Sequence, residues 1–306
     1  MITFKTIREY TNFDSIELHT EKSALFYGIS HDDRGREVLS YLTSHFKKAY
    51  ELIYNNDSDT LTVQTSTSLD IKRIHFFAYL QEQLKEIETI YLETTTLGFP
   101  ELLTILFYIS KLEQSYNIYL FYVEPEKYTS KSDDSYDLSE EYSNHKYIKP
   151  FIATPIDSSE TSETVLISLL GFEENRLGRV LEESENKYNQ LISIFPIPGF
   201  KYTWENISLS RHHIFLESKS FIYYAAADDP YETYKLLEKI SNNLPDNHIT
   251  LLPIGTKPCS IGVTIFLINN KLKEAHKEIA CKYDFPRKKE GRSSGVSKIY
   301  VYKLSS

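Results

Sequence analysis

Two stretches of this chain follow one order of elements, and that order narrows the possible folds more than any single residue does. In the first, Ser23-Ala-Leu-Phe-Tyr-Gly-Ile29 is a short apolar run followed by turn residues. Gly35 to Ala49 comes next, with Val38, Leu39, Leu42 and Phe46 at helical spacing, and then the strand-like Tyr50-Glu-Leu-Ile-Tyr54. In the second, Thr164-Val-Leu-Ile-Ser-Leu-Leu170 takes the first place. Asn175 to Glu185 supplies the helix, with Leu177, Val180 and Leu181 on one face, and Gln190-Leu-Ile-Ser-Ile-Phe195 the strand. A short apolar run, then helical spacing, then a further apolar run is the order of a strand–helix–strand crossover.

The later parts correspond as well. Thr89 to Thr96 reads as a strand that turns through Leu-Gly-Phe-Pro-Glu into an apolar helix ending near Leu112, and Ile118 to Val123 closes that half. His248 to Ile254, then Gly255-Thr-Lys-Pro-Cys, the apolar Ile261 to Asn269 and Ile279 to Tyr283 repeat the sequence of elements. Between start and finish each half inserts a further helix-and-strand element, Ile71 to Glu86 and Asp228 to Asn243 being the clearest helices. Strands alternating with helices of this length require crossovers and so a mainly parallel sheet. The expected fold class is therefore α/β: two tandem Rossmann-like domains with mainly parallel sheets, an internal duplication related by a pseudo-two-fold axis.

The halves are divided by the segment Glu124 to His145, which holds seven acidic and two basic residues and no apolar period. Like charges with little to bury read as an exposed linker or loop, and a second polar stretch runs from Asp157 to Glu163. The expected division is residues 1–125, an acidic linker at 126–147, and residues 148–306. At 306 residues and 41% hydrophobic composition the chain can fill two cores. No apolar run reaches the length of a membrane span, and the first ten residues lack the apolar centre of a secretory signal. Two cysteines, Cys259 and Cys281, cannot form a disulfide framework or a four-thiolate zinc site. The composition suggests a cytoplasmic protein without a membrane partner or cofactor.

Ligands of an open parallel sheet bind outside the carboxyl ends of its strands, where helix starts present unpaired N–H groups and a positive dipole end. Four turns occupy such places: Ser30 to Gly35, Thr94 to Gly98, Gly171 to Arg176 and Gly255 to Pro258. In the last, Gly255 allows close backbone approach, Thr256 offers a hydroxyl, Lys257 a mobile cation, and Pro258 suits a first helical turn. Thr94, Thr95 and Thr96 supply hydroxyls at the corresponding point of the first half, with Ser30 and Gly171 in the loops after the first strands. An equally open reading makes Gly255 to Pro258 a turn with a capping threonine.

A hydrophobic strand, then Gly255-Thr256-Lys257, then a small-residue apolar helix resembles the signature of CRISPR-associated Rossmann-fold (CARF) sensor domains. The likeness spans mainly Ile249 to Lys282. In that family the Thr-Lys turn and the loop after the first strand line a pocket at a two-fold interface that binds cyclic oligoadenylates. The resemblance implies that Thr256 and Lys257 contact phosphate or ribose, with Gly171 to Glu174 facing them. It implies a sensor or accessory subunit of a prokaryotic antiviral defence system, its ligand held between the two halves. With both halves used up by these domains, the effector or core subunit would be a separate protein. The first half has no Gly-Thr-Lys, and the first loop of the second is acidic where the family's is hydroxyl-rich.

Other features stay open. Lys271 to Ser306 carries ten Lys or Arg against four Asp or Glu. Arg287, Lys288, Lys289, Arg292 and Lys298 there could touch nucleic acid, an acidic partner, or the acidic segment of the same chain. A solvated hairpin loop leading to a final strand, Lys298 to Tyr302, is the plainer reading. Asp32-Asp33-Arg34 beside His31 reads as a helix cap before it reads as acid–base chemistry. His212 and His213, adjacent on a helix, cannot share a metal simply, and Trp204 is expected in packing. No Gly-x-Gly-x-x-Gly, P-loop or Gly-x-Ser-x-Gly motif occurs. Glu217-Ser-Lys219 lacks the preceding Asp of a nuclease motif. Phe76, Phe77, Tyr79 and Leu80 read as a core stripe. A ligand-free docking subunit and an enzyme that cleaves a cyclic phosphodiester are the alternatives to a sensor.

Overall fold

The computed structural model describes residues 1–132, 135–136, 138–153, 163–184, 187–216, 220–245, 247–273 and 279–306. Glu217 to Lys219 and most of the polar stretch from Asp157 to Glu163 lie outside the described residues. The fold is α/β, and the chain forms two compact units: Met1–Thr129 with Lys289–Ser306, and Ser130–Lys288.

The first unit holds β1 (Thr3–Tyr10), β2 (Ser23–Tyr27), α1 (Asp33–His45), β3 (Ala49–Asn55), β4 (Thr60–Gln64), β5 (Ser68–Lys72), α2 (Arg73–Gln83), β6 (Thr89–Glu93), α3 (Phe99–Ile109) and β7 (Asn117–Tyr128). The second holds β8 (Ser130–Ser132), β9 (Ser135–Tyr136), β10 (Ser139–Glu141), β11 (Lys146–Tyr147), β12 (Thr164–Leu169), α4 (Glu174–Glu183), β13 (Gln190–Pro196), α5 (Trp204–His212), β14 (Ser220–Ala225), α6 (Pro230–Asn242), β15 (His248–Pro253), α7 (Lys257–Leu272), β16 (Ile279–Tyr283) and β17 (Arg287–Lys288). The last strand, β18 (Ser293–Ser305), belongs to the first unit.

Eight strands form the sheet of the first unit, in the order β1-β18-β7-β6-β2-β3-β4-β5. Its centre, β7-β6-β2-β3, is parallel, and the strands flanking it are antiparallel. The second sheet runs β11-β16-β15-β12-β13-β14 and is parallel except at β11. β16-β15-β12-β13 thus has the order of β7-β6-β2-β3. In each unit the chain reverses direction across the sheet between its first parallel strand and one of that strand's neighbours: β2 and β6, β12 and β15.

The cores follow from the periodicities. On α1, Val38 and Leu42 meet Leu25, Tyr91, Phe121, Val123 and Ile299. On α4, Leu177 and Val180 meet Leu166, Phe195, Leu252 and Ile254. Phe76 and Leu80 of α2 are fully buried, as a core stripe requires. Asp32, Asp229 and Thr256 cap α1, α6 and α7 through their side-chain oxygens.

Three features differ from the sequence-based expectation. Residues 289–306 return to the first unit, because β18 pairs with β7 along Asn117 to Tyr128 and with β1. The acidic segment is partly strand: β7 runs to Tyr128, β10 pairs with β17, and β11 pairs with β16. The element inserted in the first unit is an antiparallel hairpin, β4–β5, followed by α2; the extended Ser68–Lys72 occupies what reads as the start of a helix at Ile71. The second unit inserts the parallel strand β14 instead.

Candidate functional site

In the second unit, the point where the chain reverses across the sheet is built on two glycines. A Cβ on Gly171 would lie 3.0 Å from the Ile254 carbonyl oxygen, and one on Gly255 would lie 2.7 Å from the Leu170 oxygen and 3.1 Å from that of Leu169. No side chain larger than hydrogen fits without moving backbone. The turns after β12 and β15 therefore touch main chain to main chain, and the start of α7 is held against the first loop. Thr256 caps α7: its hydroxyl accepts from the Cys259 amide at 3.3 Å and donates to the Ala227 carbonyl at 2.8 Å. Lys257, the first helical residue, is half-buried. Gly171, Gly255, Thr256 and Lys257 are thus gathered at one rim, at the carboxyl ends of parallel strands.

The acids of the first loop are neutralised within the unit. Glu173 accepts from the Leu138 amide at 3.1 Å, the Ser139 hydroxyl at 3.3 Å and the Tyr142 hydroxyl at 2.8 Å. It also lies 3.8 Å from the Arg176 guanidinium. Glu174 pairs with Arg211 at 2.6 Å. Burial and the Glu173 carboxylate raise the Tyr142 pKa, so the phenol stays protonated and donates. Phe172 lies between Tyr136, with ring centroids 4.8 Å apart, and the edge of Trp204 at 5.6 Å.

Arg176 anchors this arrangement from below. Its guanidinium is buried and donates to both oxygens of Asp284, at 2.7 and 2.6 Å, and to the Ile254 carbonyl at 3.4 Å. The Tyr283 ring lies 5.5 Å from it. Burial alone would raise the Asp284 pKa, but the bidentate arginine outweighs it and holds the carboxyl below its usual range.

The first unit carries a counterpart. Arg34, also near the start of the first crossover helix and also buried, donates to Asp32 at 3.1 Å and to the Val123 carbonyl at 2.9 Å. Its guanidinium lies 5.8 Å from the Tyr122 ring centre and 5.7 Å from that of Tyr128. Asp32 further accepts from Ser293 at 2.6 Å and from the Gly35 amide at 3.1 Å. Burial opposes its ionisation, yet Arg34, Ser293 and Arg292 bring its pKa down to about 2.

The threonines of that unit are occupied. Thr94 donates to the Phe121 carbonyl at 2.6 Å, Thr95 accepts from the Val123 amide at 2.9 Å, and Thr96 accepts from the Gly28 amide at 2.9 Å while donating to Glu93. Glu93, with no exposed surface, also accepts the Thr95 and Thr96 amides at 2.8 and 2.9 Å. A Cβ on Gly28 would fall 2.7 Å from the Thr96 oxygen, so this reversal point is closed by backbone as the other is. Ser30 donates to the Asp32 carbonyl at 3.1 Å. Ser30 and Thr94 to Thr96 are brought together, but their hydroxyls serve the turn.

The basic C-terminal residues divide between the units. Arg287 lies 3.3 Å from Glu140 and 3.9 Å from Glu141, within the β10–β17 pair, and Lys288 is the other residue of β17. Lys289 opens the returning segment, Arg292 lies 3.6 Å from Asp32, and Lys298 bonds Glu9 at 2.8 Å. Arg287, Arg292 and Lys298 therefore meet carboxylates of this chain.

His212 is buried and its Nδ1–H donates to the Ser208 carbonyl, 2.9 Å away. Burial pushes its pKa down. Burial also raises both cysteine thiols, which keeps them protonated. Among the described residues no three His, Cys, Asp or Glu side chains are arranged to hold a metal ion, and no helix is long and apolar enough to cross a membrane.

Sequence reasoning missed Arg176, Asp284 and the part Arg34 plays. The signal was present: Arg34 precedes Val38, and Arg176 precedes Val180, by four residues, which places each arginine on the buried face of its helix. No protein-family model matches the chain, and no curated protein is significantly similar to it.

Proposed function

We propose that the chain is a non-catalytic sensor or accessory subunit that takes an anionic, nucleotide-type ligand at the carboxyl-end rim of its second unit and acts through a partner effector. One observation carries the reading. Thr256 and a half-buried Lys257 open α7 directly beside the main-chain contact of Gly171 with Gly255, while the acids of that rim, Glu173 and Glu174, are already matched by Arg176 and Arg211. The positive end of α7 and the lysine then favour an anion at this rim. Assignment to a prokaryotic antiviral defence system, and to cyclic oligoadenylates as ligand, rests on the CARF-like Gly255-Thr256-Lys257 pattern alone.

Thermal unfolding of the protein and of Lys257→Ala against cyclic and linear nucleotides tests this. Ligand at 100 times its dissociation constant stabilises by about 2.7 kcal/mol, which raises the midpoint of a unit of this size by about 5–10 °C. A shift with the wild type that Lys257→Ala loses is the expected result. No shift with any nucleotide, in folded protein, refutes the proposal.

A further inference from the structure

The two large sheets end in four edge strands, and three of them are guarded. β1 carries Lys5, Arg8 and Glu9; β5 carries Asp70 and Lys72; β11 is two residues long and carries Lys146. Charge on an edge strand, or brevity, discourages another strand from pairing with it. β14 is different. Its six residues, Ser-Phe-Ile-Tyr-Tyr-Ala, include no charge and no proline, and their register with β13 runs unbroken from Ser220 to Ala225. Among the described residues no strand pairs with its outer side.

Both faces of this edge are apolar and open. Ser220, Ile222 and Tyr224 lie on the face covered further in by α4 and α5, because they align with Leu191, Ser193 and Phe195, the first and last of which belong to that core. Phe221 and Tyr223 lie on the opposite face. Phe221 is 52%, Ile222 41% and Tyr224 53% exposed. Ile214, and Tyr231 at the start of α6, are also exposed, at 61% and 47%.

We propose that two copies of the chain join through β14, antiparallel about a two-fold axis normal to the sheet, into one continuous twelve-stranded sheet. The composition of the edge selects this occupant. From Ser220 to Ala225 it offers a partner no charge to recognise, whereas a two-fold axis through Ile222 or Tyr223 sets apolar side chains against apolar side chains on both faces. With Ile222 on the axis, Phe221 of one copy meets Tyr223 of the other; with Tyr223 on the axis, Ile222 meets Tyr224. Neither register opposes like charges, and both pair backbone groups that otherwise face water.

Sedimentation velocity of the full chain over about 1–100 µM tests the proposal. The expected species is a dimer of the 35.7 kDa chain. Ile222→Lys puts a charge on an exposed position and should weaken the dimer more than about tenfold without unfolding the unit. Ile222→Glu should do the same, and an equimolar mixture of the two variants should dimerise again, which a folding defect could not produce. A wild type that stays at monomer mass throughout, as it would if the edge served a different protein, overturns the proposal. So does a dimer whose dissociation constant Ile222→Lys leaves unchanged, or variants whose mixture remains monomeric.

Discussion

Asp284→Asn isolates the anchor beneath the rim of the second unit. The wild-type carboxylate is fully buried and takes two charge-assisted bonds from Arg176, at 2.7 and 2.6 Å. An asparagine keeps the volume but removes the charge, leaving the guanidinium with the Ile254 carbonyl at 3.4 Å and Glu173 at 3.8 Å. Breaking a buried pair in this way costs about 3–5 kcal/mol, because an uncompensated charge stays inside. That corresponds to a fall of about 6–20 °C in the midpoint of the unit. Replacing both partners, Arg176→Met with Asp284→Leu, removes the stranded guanidinium and should recover part of the loss, with Glu173 left without its cation. Trp204, the single tryptophan, sits in the second unit against Phe172, so urea unfolding followed by its fluorescence reports this unit. A loss below about 1 kcal/mol for Asp284→Asn, or a double variant no more stable than the single one, would falsify the buried-pair argument.

The first unit should respond to acid through Asp32. Its pKa of about 2 lies below the usual 3.8, so the pair with Arg34 is fully stabilising above pH 4. That stabilisation, about 2 kcal/mol, is lost as pH falls from about 4 to 2; circular dichroism of urea unfolding at several pH values should show the slope in the wild type and its absence in Asp32→Asn. Gly255→Ala places a methyl group 2.7 Å from the Leu170 oxygen, and the backbone shift it forces should cost about 1–3 kcal/mol, read at Trp204. An unchanged midpoint would mean that the two turns can separate freely.

The crossover units were legible in the sequence because each sets its own periodicity within some 30 residues. α1 covers Asp33–His45 where Gly35 to Ala49 has helical spacing, and β12 and β13 begin at the residues where their apolar runs begin. β1 was not legible, since Thr3–Tyr10 is largely exposed and offers no apolar alternation. Its partner, β18, lies some 290 residues away, and no local pattern encodes such a pairing. Of the rim, the turn at Gly255 to Pro258 was visible as chemistry. The function of Thr94 to Thr96 was not, because hydroxyls that bond to their own turn read in sequence just like hydroxyls that face a ligand. Arg176 and Asp284, 108 positions apart, become a pair only when the crossover from β15 through α7 to β16 brings them together.

The return of β18 makes the second unit an insertion within the first. Ser130–Lys288 is contiguous, whereas the first unit needs residues at both ends of the chain. A chain lacking β18 would keep every strand of the second sheet, but in the first it would leave β7 an open edge with Ile118, Leu120 and Tyr122 along it and β1 with no sheet to join.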